Sequence, residues 1–127
     1  MEAPRAGTTV LVVDDDSALR LLCRVNLELE GYRVLEAPTL EAAEAAVATE
    51  RVDVILLDVH VGEGDGRRFL RELRDAENAV AVALFTGSSE LDSEDRELAD
   101  AVLPKPFALG ELTSTVRRLV GRIDSPA

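Results

Sequence analysis

The chain has 127 residues, with 14 Lys and Arg against 25 Asp and Glu and a net charge of −11. That length suits one domain around one core, and the acidic balance disfavours nucleic acid and anionic membrane surfaces, both of which need a basic face. The lone Cys23 excludes an internal disulfide, and no apolar run is long enough to span a bilayer, so a cytoplasmic protein without membrane attachment is expected.

Residues 1–8 and 123–127 read as flexible tails around one domain at 9–122. Within it, strand-like apolar runs alternate with helical patterns. Thr9 to Val13 reads as a strand, and Ser17 to Glu30 as a helix capped by Asp16 or Ser17 and stopped by Gly31. Arg33 to Ala37 is a weaker strand, followed by an Ala- and Glu-rich helix over Thr39 to Glu50. Val52 to Leu57 is the clearest strand, Gly62 to Gly66 a turn, and Arg67 to Asp75 a helix. Ala79 to Phe85 is a strand and Glu90 to Ala99 a short acidic helix with a solvated face. Ala101 to Leu103 is a brief strand, assigned to a sheet edge by Pro104 and Pro106, and Ala108 to Arg122 is the last helix. Such β-α alternation implies an α/β protein: a parallel sheet covered on both faces, with right-handed crossovers.

Two apolar strands end in carboxylates: Val10 to Val13 runs into Asp14-Asp15-Asp16, and Val52 to Leu57 into Asp58. In an open parallel sheet the ligand crevice lies at the carboxyl ends of the strands. There the carboxylates repel, each pair at ~5 Å and an effective dielectric of about 20 costing roughly 3 kcal/mol. A hard divalent cation such as Mg²⁺ (or Mn²⁺) would relieve that repulsion. The same rim collects Thr86 and Lys105, a hydroxyl for a phosphoryl oxygen and a point charge for a phosphate. An Asp carboxylate is itself a nucleophile able to form an aspartyl phosphate.

Five motifs in order carry a resemblance: Val12-Val13-Asp14-Asp15-Asp16, Leu56-Leu57-Asp58, the turn ending Asp65-Gly66, Phe85-Thr86-Gly87, and Lys105-Pro106-Phe107. Over about residues 8–122 the chain resembles a receiver domain of a two-component response regulator. The resemblance implies a three-layer α/β/α, flavodoxin-like (βα)5 fold with sheet order 2-1-3-4-5, the order found in a chemotaxis receiver. It implies that Asp58 accepts a phosphoryl group from a histidine kinase or histidine phosphotransfer protein. It implies that Asp15, Asp58, Asp14 and the backbone carbonyl of His60 hold Mg²⁺, that Thr86 and Lys105 act in switching, and that the Lys105–Pro106 bond is cis. His60 and Ser88 occupy positions that tune phosphoryl lifetime in that family.

The chain departs from the family pattern at Val61-Gly62, where Met-Pro is usual, and Gly62 and Gly64 are expected to loosen that loop. It also departs at Val102, where an aromatic ring usually rotates on phosphorylation. Leu19, Leu22, Cys23 and Leu27 form a core stripe on the first helix, and Leu21, Val25 and Leu29 form a second. That second stripe has two readings, a rotated or loosely packed helix or a partner surface. In receivers resembling this one, the first helix docks the kinase's helical hairpin.

The favoured function is a stand-alone phosphorylation switch, not an enzyme and either monomeric or weakly dimeric. On that reading no output domain is expected beyond residue 127, and an unknown downstream protein would read the face made by the fourth helix, fifth strand and fifth helix, about Glu90 to Arg122. A phosphorelay intermediate or a fragment of a longer regulator fits the same residues. A haloacid-dehalogenase-type phosphohydrolase with Asp14 as nucleophile is one alternative, though position 18 is Ala and no room is left for a cap. A phosphate-independent scaffold that kept the fold is another.

Overall fold

A strand that is apolar at every position must be covered on both faces, and β1 (Thr9–Val13) and β3 (Val54–Asp58) are buried along their whole length. The computed structural model describes residues 7–87 and 91–124. Its remaining elements are α1 (Ser17–Leu29), β2 (Arg33–Ala37), α2 (Leu40–Thr49), β4 (His60–Val61), β5 (Gly64–Asp65), α3 (Gly66–Asp75), β6 (Ala81–Thr86), α4 (Ser93–Leu98), β7 (Ala101–Pro104) and α5 (Leu109–Asp124). The main sheet has five parallel strands in the order β2-β1-β3-β6-β7, which is the expected 2-1-3-4-5 once the β4–β5 ribbon is set aside.

Alternation along the strands divides the core in two. Val10, Val12, Val54 and Leu56 pack with Cys23 and Leu27 of α1 and Leu112, Val116 and Leu119 of α5. Leu11, Val13, Ile55 and Leu57 pack with Ala43 of α2 and Phe69, Leu70 and Leu73 of α3. Side chains of one strand point to opposite faces, so one face carries α1 and α5 and the other α2, α3 and the short α4. Fully burying each large apolar side chain contributes about 1.5–3 kcal/mol.

The helix starts follow their caps. Asp16 accepts from the backbone N–H groups of Ala18 and Leu19, Thr39 from Ala42, and Asp65 from Arg67. The fourth helix is shorter than the expected Glu90–Ala99. Asp92 and Asp95 close a reciprocal capping box, so α4 begins at Ser93, and Ala99 returns to extended backbone. Thr8, expected in the tail, is buried, and its carbonyl accepts from the Arg33 N–H at 2.9 Å. The last helix runs beyond Arg122 to Asp124. The Gly62 turn is a tight ribbon in which His60 pairs with Asp65 and Val61 with Gly64, Gly62 taking φ +60° at the reversal.

A helix of six residues has little stability of its own. Guanidinium groups from α3 hold α4 in place. Arg71 Nη2 lies 2.8 Å from the fully buried carboxylate of Asp95, and Arg74 Nε donates to the Leu98 carbonyl at 3.0 Å. Arg71 is 40% exposed and keeps Asp92 and Glu94 as partners, so deleting Asp95 strands no charge but removes a charge-assisted hydrogen bond and one half of the capping box. Asp95→Ala is therefore expected to lower the unfolding free energy by about 1–2 kcal/mol, read from the denaturant midpoint at unchanged slope.

Candidate functional site

Parallel register brings the carboxyl ends of β1, β3, β6 and β7 to one rim. Val13 lies beside Leu57, Asp58 beside Phe85, and Thr86 beside Pro104. The residues that follow or end these strands are Asp14, Asp15, Asp58, Thr86 and Lys105, so the five residues read as a site from the sequence lie at this edge. One carboxylate oxygen from each of Asp14, Asp15 and Asp58 lies within 4.8 Å of the other two.

The three carboxylates differ in exposure. Asp14 is fully buried, Asp58 nearly so, and Asp15 is exposed. Asp14 Oδ1 accepts from the Asp16 N–H at 2.9 Å and Oδ2 from Lys105 Nζ at 3.1 Å. Asp58 Oδ1 accepts from the His60 N–H at 3.3 Å, and its Oδ2 from the same Lys105 Nζ at 3.1 Å. Lys105 thus bridges carboxylates that end two different strands. Its backbone N–H donates to the Thr86 carbonyl at 2.7 Å, and the Lys105–Pro106 peptide is cis. The ammonium also stands 5.8 Å over the Phe85 ring, which stacks on Phe107 at 5.1 Å, within the range of a cation–π contact.

Burial pushes the Asp14 carboxyl above its usual value, with the Asp58 charge adding to the rise and hydrogen bonds from Asp16 and Lys105 opposing it. Burial works to lower Lys105, but its hydrogen bonds to Asp14 and Asp58 prevail and hold the ammonium above the usual lysine value. The partners disagree about the pair: for Lys105 it is favourable, while for Asp14 ionisation carries a net cost. Asp14 decides the balance, because its side chain is 1% exposed and that of Lys105 28%. A buried cluster of negative oxygens with a net cost of ionisation fits a hard divalent cation.

Gly66 sits against the main chain of Asp58. A Cβ there would overlap the Asp58 carbonyl oxygen, while the Gly66 N–H donates to the Val59 carbonyl at 2.7 Å. Only glycine allows α3 to start this close to Asp58. Val102 is half-buried among aliphatic groups on the α3 side, level with Leu84. Ser88 and Glu90 lie outside the described residues.

On α1 the sequence reading needs one correction. Cys23 and Leu27 are buried, but Leu22, placed with them, is 45% exposed. The buried arc follows the i, i+4 line Leu19–Cys23–Leu27, and Leu22 lies about 100° round the helix from Cys23. Leu21, Val25 and Leu29 are 58%, 47% and 79% exposed, which makes them a surface rather than a rotated core face. Burial, then the Asp14 charge, pushes the Cys23 thiol up to about 12, as suits an inert core residue.

The model of the response regulator receiver domain matches residues 10–117. The chain belongs to that family. It is 41% identical over 113 residues to the KDP operon transcriptional regulatory protein KdpE of Escherichia coli (strain K12), covering 87% of this chain and 50% of that one. It is 36% identical over 116 residues to the response regulator MprA of Mycolicibacterium vanbaalenii, covering 89% and 50%. The chain therefore spans about half the length of the curated relatives it matches. Among solved structures, the receiver domain of the Francisella response regulator 1452 superposes with a TM-score of 0.86 at 28% identity, covering 93% of this chain and 100% of that one. The response regulator TrrA of Thermotoga maritima, solved in complex with Mg²⁺–BeF, does so at 0.80 and 28%, covering 88% and 98%. Among the described residues no helix is long and apolar enough to cross a membrane.

Sequence reasoning missed how the site is braced. Phe85 and Phe107 were motif members without a stated role, and Arg20, which donates to the Asp14 carbonyl at 2.7 Å, was not singled out. The only signal for Arg20 was a cation one turn into a helix that follows an acidic loop.

Asp14 has a stability consequence with a definite sign. Its folded-state value is raised, so in the window above the ordinary 3.8 the folded protein holds the proton more tightly than the unfolded chain. Stability is then lost as pH rises through that window, and the neutral-pH protein carries the cost. Asp14→Asn in EDTA at pH 7 is expected to raise Tm by roughly 3–5 °C, the shift that ~1 kcal/mol gives in a domain of this size. The gain should fade as pH drops below about 4, where wild-type Asp14 is itself neutral.

Proposed function

We propose that this domain is a phosphorylation-activated signalling switch whose acceptor is Asp58. The observation that carries the reading is the Lys105 ammonium 3.1 Å from both Asp14 and Asp58, on a rim where three carboxylates converge. Asp15 and Asp58, with Asp14 assisting and the His60 carbonyl as a further ligand, would hold Mg²⁺ (or Mn²⁺). When bound, such an ion neutralises carboxylate charge and that of incoming phosphoryl oxygens. TrrA, with its Mg²⁺–BeF, supports extending this to the present chain.

Phosphoryl transfer asks a protein mainly for position and charge. The Asp58 carboxylate attacks phosphorus, and the bond from phosphorus to the donor imidazole nitrogen breaks, the nitrogen leaving with the electron pair. The nucleophile is oriented by the His60 N–H on Oδ1 and by Lys105 on Oδ2. As charge grows on the phosphoryl oxygens, Lys105 supplies a cation from a backbone tied to Thr86, and the Thr86 hydroxyl supplies a donor. Movement of Thr86 would shift the segment that leads into α4. Val102 has no ring to turn, so the signal would travel through that segment to the α4–β7–α5 face, where an unidentified protein would read it.

The phosphoryl donor is a histidine kinase or a histidine phosphotransfer protein in the cytoplasm. The domain is an acceptor rather than a turnover enzyme. Asp14 as a hydrolase nucleophile is disfavoured by its burial and by both its oxygens being engaged. The exposed stripe Leu21, Val25 and Leu29 is the surface where the donor's helices would dock.

Acetyl phosphate with Mg²⁺, followed by intact-mass measurement, is expected to add one phosphoryl group to the wild type and none to Asp58→Asn. No adduct on the wild type would instead favour a phosphate-independent scaffold. Leu21→Glu and Val25→Glu, both at exposed positions, should change stability by less than about 0.5 kcal/mol and still slow phosphotransfer from the kinase. Wild-type transfer rates in the charged variants would remove α1 as the docking surface.

A further inference from the structure

Arg20 lies in α1 with its side chain 15% exposed. Its Nη1 donates to the main-chain carbonyl of Asp14 at 2.7 Å, and its Nε to Glu36 Oε1 at 3.1 Å. Glu36, on β2 beside Val12, accepts with its other oxygen from Arg24 Nη1 at 2.9 Å. The guanidinium is a rigid planar fork, so once Glu36 holds Nε the direction of Nη1 is set. Three elements are thereby pinned together: the loop after β1, the strand β2 and the helix α1.

The pinned atom matters because of the peptide it belongs to. The Asp14 carbonyl is part of the planar unit joining Asp14 to Asp15. Its direction sets the rotation of that plane, and hence the starting point of the Asp15 side chain. Asp14 is further held at its N–H by the Ala37 carbonyl at 3.2 Å and at its carboxylate by Asp16 and Lys105. Asp15 is exposed at the open side of the rim, so its placement relies on the backbone that Arg20 orients.

We propose that Arg20, aimed by Glu36, is a positioning residue that sets the divalent-cation affinity of the acidic rim. This rests on the reading of the rim as a Mg²⁺ site. Charge alone predicts the opposite sign: a cation near the rim repels a metal ion, so deleting it would tighten binding. Positioning predicts weaker binding, because residues that orient metal ligands typically contribute 10–100-fold to affinity.

The test is calorimetric titration of Mg²⁺ into the full chain, with a thermal melt of each metal-free variant alongside. Arg20→Ala is expected to bind Mg²⁺ about ten-fold more weakly. Arg20→Lys, which keeps the charge but not the fork, should weaken binding as well. Glu36→Gln, which leaves Arg20 charged but loosely aimed, should move affinity in the same direction and decides the matter if Arg20→Ala does not fold. Equal or tighter Mg²⁺ binding in a variant that melts like the wild type overturns the proposal. A wild type that binds no Mg²⁺ overturns the metal reading and this inference with it. Wild-type binding with unaltered variants overturns this inference alone.

Discussion

The Lys105 ammonium stands between the carboxylates of Asp14 and Asp58, and much of the architecture answers the cost of placing those charges side by side. The carboxylates follow or end neighbouring strands of a parallel sheet, so they cannot be separated without changing the register. One is fully buried. A single lysine reaches two of them at 3.1 Å because its backbone is tied to the end of β6 through the Thr86 carbonyl. The Phe85 ring, itself stacked on Phe107, lies under its ammonium. The arrangement leaves one carboxylate, that of Asp15, open to solvent.

The second organising feature is the polar seam between α3 and α4. Arg71 and Arg74 take partners on α4 and on the loops flanking it, and Asp95 answers with a fully buried carboxylate. A six-residue helix held mainly by a capping box and guanidinium groups is more easily reset than one held by a wide apolar face.

The layered fold was readable because its physical causes are local. Uniformly apolar runs at 9–13 and 54–57 demand cover on both faces, and Asp16, Thr39 and Asp65 mark helix starts by hydrogen bonds to their own neighbours. Boundaries failed where a contact distant in sequence, or a reciprocal side-chain bond, took over. Thr8 belongs to the ordered domain because Arg33 pairs with its carbonyl, and α4 starts late because Asp92 and Asp95 cap each other. Leu22 was placed inside on spacing alone, whereas the side on which α1 meets the sheet left it outside.

The amino-acid order by itself determined which chemistry the chain carries: carboxylates closing apolar strands, one threonine, one lysine, and helices between them. Those properties follow from residue type and short spacing, and a parallel sheet brings strand ends to a common edge whatever the details. Only the tertiary structure decided the burial and bracing of the site. That Asp14 is the buried carboxylate, that one lysine serves two acids, that Gly66 must lack a side chain beside Asp58, and that Arg20 grips the Asp14 carbonyl all depend on distances between residues far apart in the chain. Solvent exclusion and fixed geometry set the strength of those interactions, and both exist only once the layers have packed.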